Sequence, residues 1–394
     1  MNILFICEID FIRKVVFDVH LLAEAMSLRG HNIYVIDYES MWQRNGDRLP
    51  REQVISRVFP EASIHLVHPR FIKIKGLNRM SAFISHYFEI KRIIKMAKIE
   101  AVVLYSVPTN GLQTVHWARE FGIPIIFRSL DVLNQLVTMK ILRSMTRYLE
   151  GKVYSSVDKV LTITPKLSEY AIGLGADSSK VDVLPMPVDT NTFHPNDDVQ
   201  ELRQRWGIAE SDKVLLFMGT LFNFSGLGDF LFQFTHILRG LLEVKLLIVG
   251  DGEQRPHLEE IIKILELQEQ VIITGFQPYQ DMPLYINLAD VCINPFISNE
   301  ITKDIFPGKT VQYLACGKPL VMRPLDGVKA VISGEEQGVV YCDTDNRMVF
   351  EVLSLLQDDE RRHKIGNNGL EYARKYHGAE QVAKQLEDEI VSLK

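Results

Sequence analysis

The hydrophobic pattern repeats one simple unit along the chain. Residues 2–9, NILFICEI, form a short apolar run of the kind found in strands buried on both faces. Beyond them the period changes: Val15, Val19, Leu22, Ala23 and Met26 share one stripe, which predicts a helix from Val15 to Arg29 closed by Gly30. HNIYVID (31–37) is the next strand. The order continues with AVVLYSV (101–107), a helix from Gly111 to Gly122, IPIIFRS (123–129) and KVLTIT (159–164). VLPMPVDTNTFHP (183–195) carries Pro185, Pro187 and Pro195, so it reads as a connection rather than a helix. A second series follows: VLLFMG (214–219), KLLIVG (245–250), VIITG (271–275), VCINPF (291–296) and PLVM (319–322), with amphipathic helices from about Asn346. Such alternation predicts two α/β domains, each a doubly wound parallel sheet, over 1–190 and 191–377. A last helix, about 378–394, is expected to pack back on the first.

Composition narrows the picture. At 394 residues the chain exceeds one ordinary core, and 46% hydrophobic with 24% charged residues describes a folded protein. MNILFICEID has no basic stretch before its apolar run and reads as a strand rather than a secretion signal. No run of ~18 uncharged apolar residues predicts a membrane span, so a cytoplasmic location is expected, with peripheral attachment to the inner face of the membrane as an option. Cys7, Cys292, Cys316 and Cys342 lack metal spacing and are expected as buried thiols, with no metal site.

The net charge of −6 hides an asymmetry. Residues 1–190 hold 24 Lys and Arg against 19 Asp and Glu, while the remainder holds 20 against 31. Much of the basic excess lies in residues 70–100, where Arg70, Lys73, Lys75, Arg79, Lys91, Arg92, Lys95 and Lys98 interleave with apolar residues. That stretch fits an anionic membrane surface, an acidic acceptor, or a solvated helix face over an apolar core. No nucleic-acid partner is expected.

Several segments resemble the family 4 glycosyltransferases, in the family's order and spacing. LLAEAMSLRGHNIYVID (21–37) looks like its first helix and second strand, and KVLTITPKLSEYAIGLGADSSKVDVLPMPVDTNTFHP (159–195) is similar to the stretch leading into its domain linker. LLIVGDGEQRPHLEEII (246–262), VIITGFQPYQDMPLYINLADVCINPF (271–296) and YLACGKPLV (313–321) follow in the second half. The resemblance implies the GT-B fold, with two Rossmann-like domains facing across a cleft. It also implies a retaining, metal-independent transfer of a sugar from a nucleotide-diphosphate sugar to a hydroxyl, in glycan, glycolipid or surface-polysaccharide synthesis. The nucleotide sugar is then a substrate, the acceptor a glycan or a lipid-linked molecule, and no cofactor is implied.

DIFPGKTVQ (304–312) occupies the place of the family's Glu-x7-Glu, whose first acid lies near the donor sugar and whose second holds the ribose hydroxyls. The resemblance assigns these places to Asp304 and Gln312, on a helix beginning near Ile305. Acceptors about two turns apart share one helix face. Gln312 accepts through its carbonyl without the charge-assisted bond of a Glu, and Asp304 taken alone also fits a helix cap. The Arg and Lys that relatives bring to the diphosphate fall at Thr220 and Ser225 in GTLFNFSGLGDF (219–230), so both charges are missing. A departing diphosphate needs its charge neutralised. Lys309 is the expected replacement, because the proline-containing form of this segment often carries Lys there. Lys303 is the second candidate, and Lys309 also fits a surface lysine on a first helical turn. Gly219 ends its strand, and backbone N–H groups of Gly226, Leu227 and Gly228 would add to the site if a helix opens there. GDG and TGFQP point to Gly250, Gly252, Phe276 and Gln277 for the nucleobase. The GDG turn lacks the third glycine and downstream acid of a dinucleotide fingerprint. DTD (343–345) falls in a polar connection and reads as a solvated turn.

On the acceptor side EIDFIRKVV (8–16) has no glycine where many relatives have two, and offers Arg13 and Lys14 instead. Arg128 stands where the family commonly places a His and is expected to point into the cleft; His116 reads as a packed helix residue. Asn110, in SVPTNG (106–111), is a candidate to hydrogen-bond the acceptor. Retention in the family needs no enzyme nucleophile, so Asp304, Lys309 and Arg128 would act by positioning and charge. Loss of the Arg, Lys, second Glu and His together also fits a non-catalytic nucleotide-sugar-binding or partner-binding subunit. A sugar-nucleotide epimerase shares the fold, without a constellation specific to it here.

Overall fold

The computed structural model describes residues 1–38, 50–74, 77–137, 139–238 and 243–394. They form two compact units, Met1–Pro187 with Ala379–Lys394, and Val188–Gly378. The first passage between units thus falls at 187/188, inside the proline-rich connection.

The first unit is an eight-stranded sheet. Its strands are β1 (Asn2–Ile6), β2 (Asn32–Ile36), β3 (Glu52–Ile55), β4 (Ile64–Val67), β5 (Ala101–Leu104), β6 (Ile125–Ser129), β7 (Lys159–Thr162) and β8 (Val181–Val183), in the order β3-β4-β2-β1-β5-β6-β7-β8. Every described pairing is parallel except β3 with β4. Its helices are α1 (Asp18–Leu28), α2 (Asn78–Met96), α3 (Gly111–Glu120), α4 (Leu133–Leu136), α5 (Lys140–Tyr154) and α6 (Pro165–Gly173). The two-residue period of a strand explains the layers. Ile3, Phe5, Ala101 and Val103 join one apolar core, and Leu4, Ile6, Val102 and Leu104 join the other, on the opposite face. The predicted helix from Val15 is shorter than its pattern: Phe17 is extended, and α1 begins at Asp18. The 51–67 stretch, which carries no long apolar run, supplies β3 and β4.

The second unit has β9 (Lys213–Met218), β10 (Val244–Val249), β11 (Val271–Gly275), β12 (Val291–Asn294), β13 (Leu320–Met322) and β14 (Val339–Tyr341), all parallel, in the order β11-β10-β9-β12-β13-β14. Its helices are α7 (Gln200–Trp206), α8 (Leu227–Leu238), α9 (Arg255–Ile264), α10 (Met282–Leu288), α11 (Lys309–Ala315), α12 (Asp326–Lys329), α13 (Asp345–Gln357) and α14 (Asp359–Tyr376). The strand order reverses between β9 and β12, and ligands of doubly wound sheets bind beyond the carboxyl ends at such a point. All four cysteines are free and buried, and no described helix is long and apolar enough to cross a membrane.

The chain returns to the first unit through α15 (Ala379–Ser392), whose Val382, Ala383, Leu386 and Ile390 are buried in the same core as α1. Glu387 fastens it outside that core, accepting from Arg29 Nε at 2.7 Å and pairing with His31 at 3.0 Å. Truncating the fully buried Leu386 removes apolar burial and leaves a cavity. Leu386→Ala is therefore expected to lower the unfolding free energy by ~2–5 kcal/mol, read from urea titrations.

Candidate functional site

The carboxyl ends of β9 and β10 meet where backbones pass too close for a side chain. Gly250 has φ +148°, and a Cβ there would lie 2.0 Å from the Gly219 carbonyl oxygen. Next to it, Gly226 (φ +68°) turns the chain into α8 with a Cβ position only 2.0 Å from the Pro295 carbonyl oxygen. The turn after β9 is therefore built of close-packed backbone and backed by the first turn of α8, a helix start within the GTLFNFSGLGDF run. Gly252 packs on the Leu221 backbone, and Tyr313 on α11 accepts a 2.8 Å bond from the Met218 N–H, fixing the end of β9.

Lys309 reaches into this place. It is the first residue of α11, and its Nζ is buried 3.8 Å from the Phe217 ring centre and 4.1 Å from that of Phe296. A Cβ on Gly219 would stand 3.5 Å from it. The Nζ has no hydrogen-bond acceptor among the described residues, and burial pushes its pKa well below that of an ordinary lysine. A buried ammonium without an acceptor is costly, and two aromatic faces offset only part of that cost. Lys303, the second candidate, is instead tied to Glu300 at 3.1 Å on the surface.

Other expectations need correction. No helix begins near Ile305: Pro307 and Gly308 delay α11 to Lys309. Asp304 therefore stands ahead of the helix that carries the half-buried Gln312, and the two do not share a helical face. The Asp304 backbone is instead pinned by Gly327, whose Cβ position is 2.3 Å from its carbonyl oxygen. Thr220 is exposed, but Ser225, at the place of the family lysine, is buried. Gln277 turns its amide to the Thr274 carbonyl at 3.0 Å, and Phe276 is 68% exposed beside the Gly275 turn, leaving its ring free to stack. Thr344 of DTD caps α13 through the Arg347 N–H, and Asp345 pairs with Arg323.

Three features escaped the sequence reading. Phe217 and Phe296 look like core residues until Lys309 is seen between them. Asn294, at the end of β12, is fully buried, and neither amide atom has a hydrogen-bond partner among the described residues. Arg255 lies beside the Gly250–Gly252 turn, bonded to Asp251 at 3.0 Å and Glu259 at 2.8 Å.

In the first unit the glycine-free loop after β1 is held by side chains. Asp37 accepts from the Phe11 N–H at 2.9 Å, and Arg57 donates to the Phe11 and Lys14 carbonyls, each at 2.7 Å. His20 supports Phe11 from beneath, and burial takes its pKa down to about 4, so it is neutral there. Arg13 is folded toward Asp10, at 3.8 Å, while Lys14 is exposed. Asn110 is buried rather than offered to an acceptor: its backbone N–H donates to Glu8, its side-chain Oδ1 accepts from Gln113, and its Nδ2 has no hydrogen-bond partner among the described residues. Arg128 does not face a binding site. Its guanidinium is enclosed, paired with Asp18 at 2.6 Å and donating to the carbonyls of Leu184 (2.6 Å) and Pro185 (3.0 Å). Tyr105 also donates to Asp18, at 2.7 Å. Arg128 therefore ties α1 to the segment that leaves the unit.

Known proteins match this organisation. Residues 17–192 match the family described as Glycosyltransferase Family 4, and residues 198–372 match Glycosyl transferases group 1. The alpha-monoglucosyldiacylglycerol synthase of Acholeplasma laidlawii is 23% identical over 398 residues, covering 96% of this chain and 93% of its own length. The D-inositol 3-phosphate glycosyltransferase of Segniliparus rotundus is 25% identical over 236 residues, 58% of this chain and 51% of its own. Among solved structures, sucrose-phosphate synthase from Thermosynechococcus elongatus has a TM-score of 0.78 at 16% identity, covering 100% of this chain and 99% of its own. HepE of Anabaena in complex with UDP-glucose has a TM-score of 0.72 at 15% identity and full coverage of both chains. At these identities the structures show the fold, GT-B.

Two substitutions test the two buried cations in opposite directions. Arg128→Met strands Asp18 without its partner and is expected to cost ~3–5 kcal/mol of stability by chemical denaturation. Lys309→Met removes an amine that binds protons more weakly folded than unfolded. The native lysine's penalty grows as pH falls from the ordinary lysine range toward its lowered folded pKa, so the variant gains most at and below that pKa. At neutral pH its Tm is expected to rise by ~2–4 °C, which is what about 1 kcal/mol amounts to in a unit of this size.

Proposed function

Because the chain belongs to the family 4 glycosyltransferases, we propose that its reaction draws a sugar from a nucleotide-diphosphate donor held in the second unit, and passes it with retention to a hydroxyl. The observation that carries this reading is the unpartnered, buried Nζ of Lys309 beside the glycine-lined turn after β9. A diphosphate there supplies the missing acceptor and receives in return a cation and the N–H groups opening α8. Asp304 and Gln312 are assigned to the sugar and ribose, and Phe276 with Gln277 to the base. The acceptor hydroxyl attacks from the face that the diphosphate leaves, and the diphosphate takes its proton, so neither a nucleophilic side chain nor a metal is needed. Arg13 and Lys14 are the acceptor-side cations of this scheme; Arg128 serves it only by holding the first unit together. A lipid-linked hydroxyl at the inner face of a membrane is the acceptor class favoured, in keeping with the glycolipid named for the Acholeplasma relative.

A non-catalytic subunit remains the second reading, favoured by uncharged Thr220 and buried Ser225 where relatives have Arg and Lys. Release of nucleoside diphosphate from UDP-, GDP- or ADP-sugars in the presence of lipid acceptors decides between them: turnover establishes the enzyme, and binding without turnover the subunit.

Donor binding carries a proton signature. The free amine has a lowered pKa, and an adjacent diphosphate raises it, so binding takes up a proton between the two values. Affinity for the nucleotide sugar is then expected to fall as pH rises above the lowered pKa, toward the usual lysine value near ~10.4. Calorimetry in buffers of different ionisation enthalpy reads the uptake. Lys309→Ala should weaken binding by about tenfold or more, the loss of one charge-assisted bond, and abolish the uptake; unchanged affinity would place the diphosphate elsewhere.

A further inference from the structure

Beyond Leu104 and Phe127, the last registered pair of β5 and β6, side chains continue to alternate between the two faces of the first sheet. Tyr105 and Arg128 turn to one face, where both are bonded to Asp18. Ser129 turns to the other, its hydroxyl 3.0 Å from that of Tyr154 on α5. Ser106 is buried, and its hydroxyl has no hydrogen-bond partner among the described residues. Asp131 follows Ser129 by two positions. It lies close enough to α5 that burial, the charge of Glu150 and then its own charge together push the Tyr154 phenol up.

Other acids beyond the carboxyl ends of these strands are engaged. Glu8 pairs with Arg79 at 2.9 Å, Asp37 pairs with His68 at 2.6 Å, and Asp10 accepts from the Arg13 N–H at 2.8 Å. Asp131 differs. Its carboxylate makes no hydrogen bond or ion pair among the described residues, although it is half-buried and burial takes its pKa up to about 6. An ionised carboxylate partly removed from water, with no donor, is costly. The loop around it is nonetheless fixed. Glu150, fully buried on α5, accepts from the Leu133 N–H at 3.2 Å, the Asn134 N–H at 3.3 Å and the Tyr170 hydroxyl at 3.1 Å. With β6 on one side and Glu150 on the other, residues 130–132 have little freedom, so the unbonded carboxylate is held in place.

We infer that Asp131 binds a non-reacting hydroxyl of the acceptor, so that the acceptor presents a polyhydroxyl, glycosyl headgroup rather than a lone alcohol. What the carboxylate lacks is a donor, and a hydroxyl satisfies it without bringing a second ion to be desolvated. Two oxygens with about four lone-pair sites suit the neighbouring hydroxyls of a sugar ring, and the bonds are charge-assisted. The place is the edge beyond the carboxyl ends of a parallel sheet, where ligands of such folds bind. The bonded hydroxyl is not the one that attacks, whose proton stays free for the departing diphosphate. This rests on the transfer reading above and adds to it which acceptors are taken.

The test compares dioleoylglycerol, with its single free hydroxyl, and the monoglucoside of dioleoylglycerol as acceptors in detergent micelles, with UDP-, GDP- and ADP-glucose as donors. The native chain is expected to favour the glucoside in kcat/KM. Asp131→Asn should lower that preference by about tenfold, the loss of one charge-assisted bond, mainly through KM and with nucleotide affinity unchanged. In the native chain the preference should fall as pH drops through about 6, where the carboxylate takes up a proton, and the variant should lack that limb. Glu150 and Tyr154 on α5 and Tyr170 on α6, the titratable groups packed around this loop, are the same in both proteins. Stability should move the other way. The folded pKa lies above the ordinary value near ~3.9, so the penalty of the ionised form is complete above about 6 and fades toward that ordinary value. Asp131→Asn is therefore expected to raise Tm by ~2–4 °C at pH 8, a gain that shrinks as the medium is acidified. A lowered Tm, an equal loss with both acceptors, an unchanged preference, or a native preference for dioleoylglycerol overturns the proposal. Donor turnover without transfer to either lipid overturns this assignment alone, whereas no turnover of any donor overturns the transfer reading as well.

Discussion

At the carboxyl ends of β9 and β10 the backbone itself occupies the space a side chain would take, and the second unit is organised around that constraint. The approach of Gly250 to the Gly219 carbonyl leaves no room for a side chain at that turn. A ligand there meets peptide groups, the start of α8 and one deeply set cation. Lys309 is held against Phe217 and Phe296 with no hydrogen-bond acceptor among the described residues. An anion that enters supplies what the fold withholds, so the energy lost in burying the amine becomes a preference for the charged ligand.

This arrangement departs from the usual layout of the family without abandoning its physics. Positions 220 and 225, where the resemblance places an Arg and a Lys, are Thr and Ser here, and in the proposed reading Lys309, the first residue of α11, takes over their charge. A solvated Arg and Lys are screened by water, whereas a cation in an aromatic pocket interacts through a lower effective dielectric. In the proposed reading, one buried lysine thus does part of what two exposed groups would do.

The first unit solves a different problem. Its loop after β1 lacks the glycines that let a backbone curl freely, and Asp37, Arg57 and His20 fix it from below. Arg128, at the place of a family histidine, is committed to Asp18 and to two carbonyls near the exit from the unit. Both sets of side chains hold the first unit together.

Much of this was legible in the amino-acid sequence because it depends on local periodicity. The strands of NILFI, VLLFM and KLLIV, the helices between them, the proline-marked connection and the glycines ending β9, β10 and β11 follow from patterns that span a few residues. The strands β3 and β4 were missed because polar residues, Glu52 and Gln53 in one and His65 in the other, interrupt their apolar positions. The roles of single side chains depended on distant partners. Arg128 looked like a cleft residue until Asp18, more than a hundred positions earlier, enclosed it. Asn110 looked available until Glu8 and Gln113 bound it, and the start of α11 moved because Pro307 and Gly308 broke the helix that the Glu-x7-Glu spacing implied. Sequence by itself determined which elements form and in what order, since backbone period and turn chemistry are local. Only the tertiary structure decided which charges are buried and which are offered, since that depends on neighbours brought together from far along the chain.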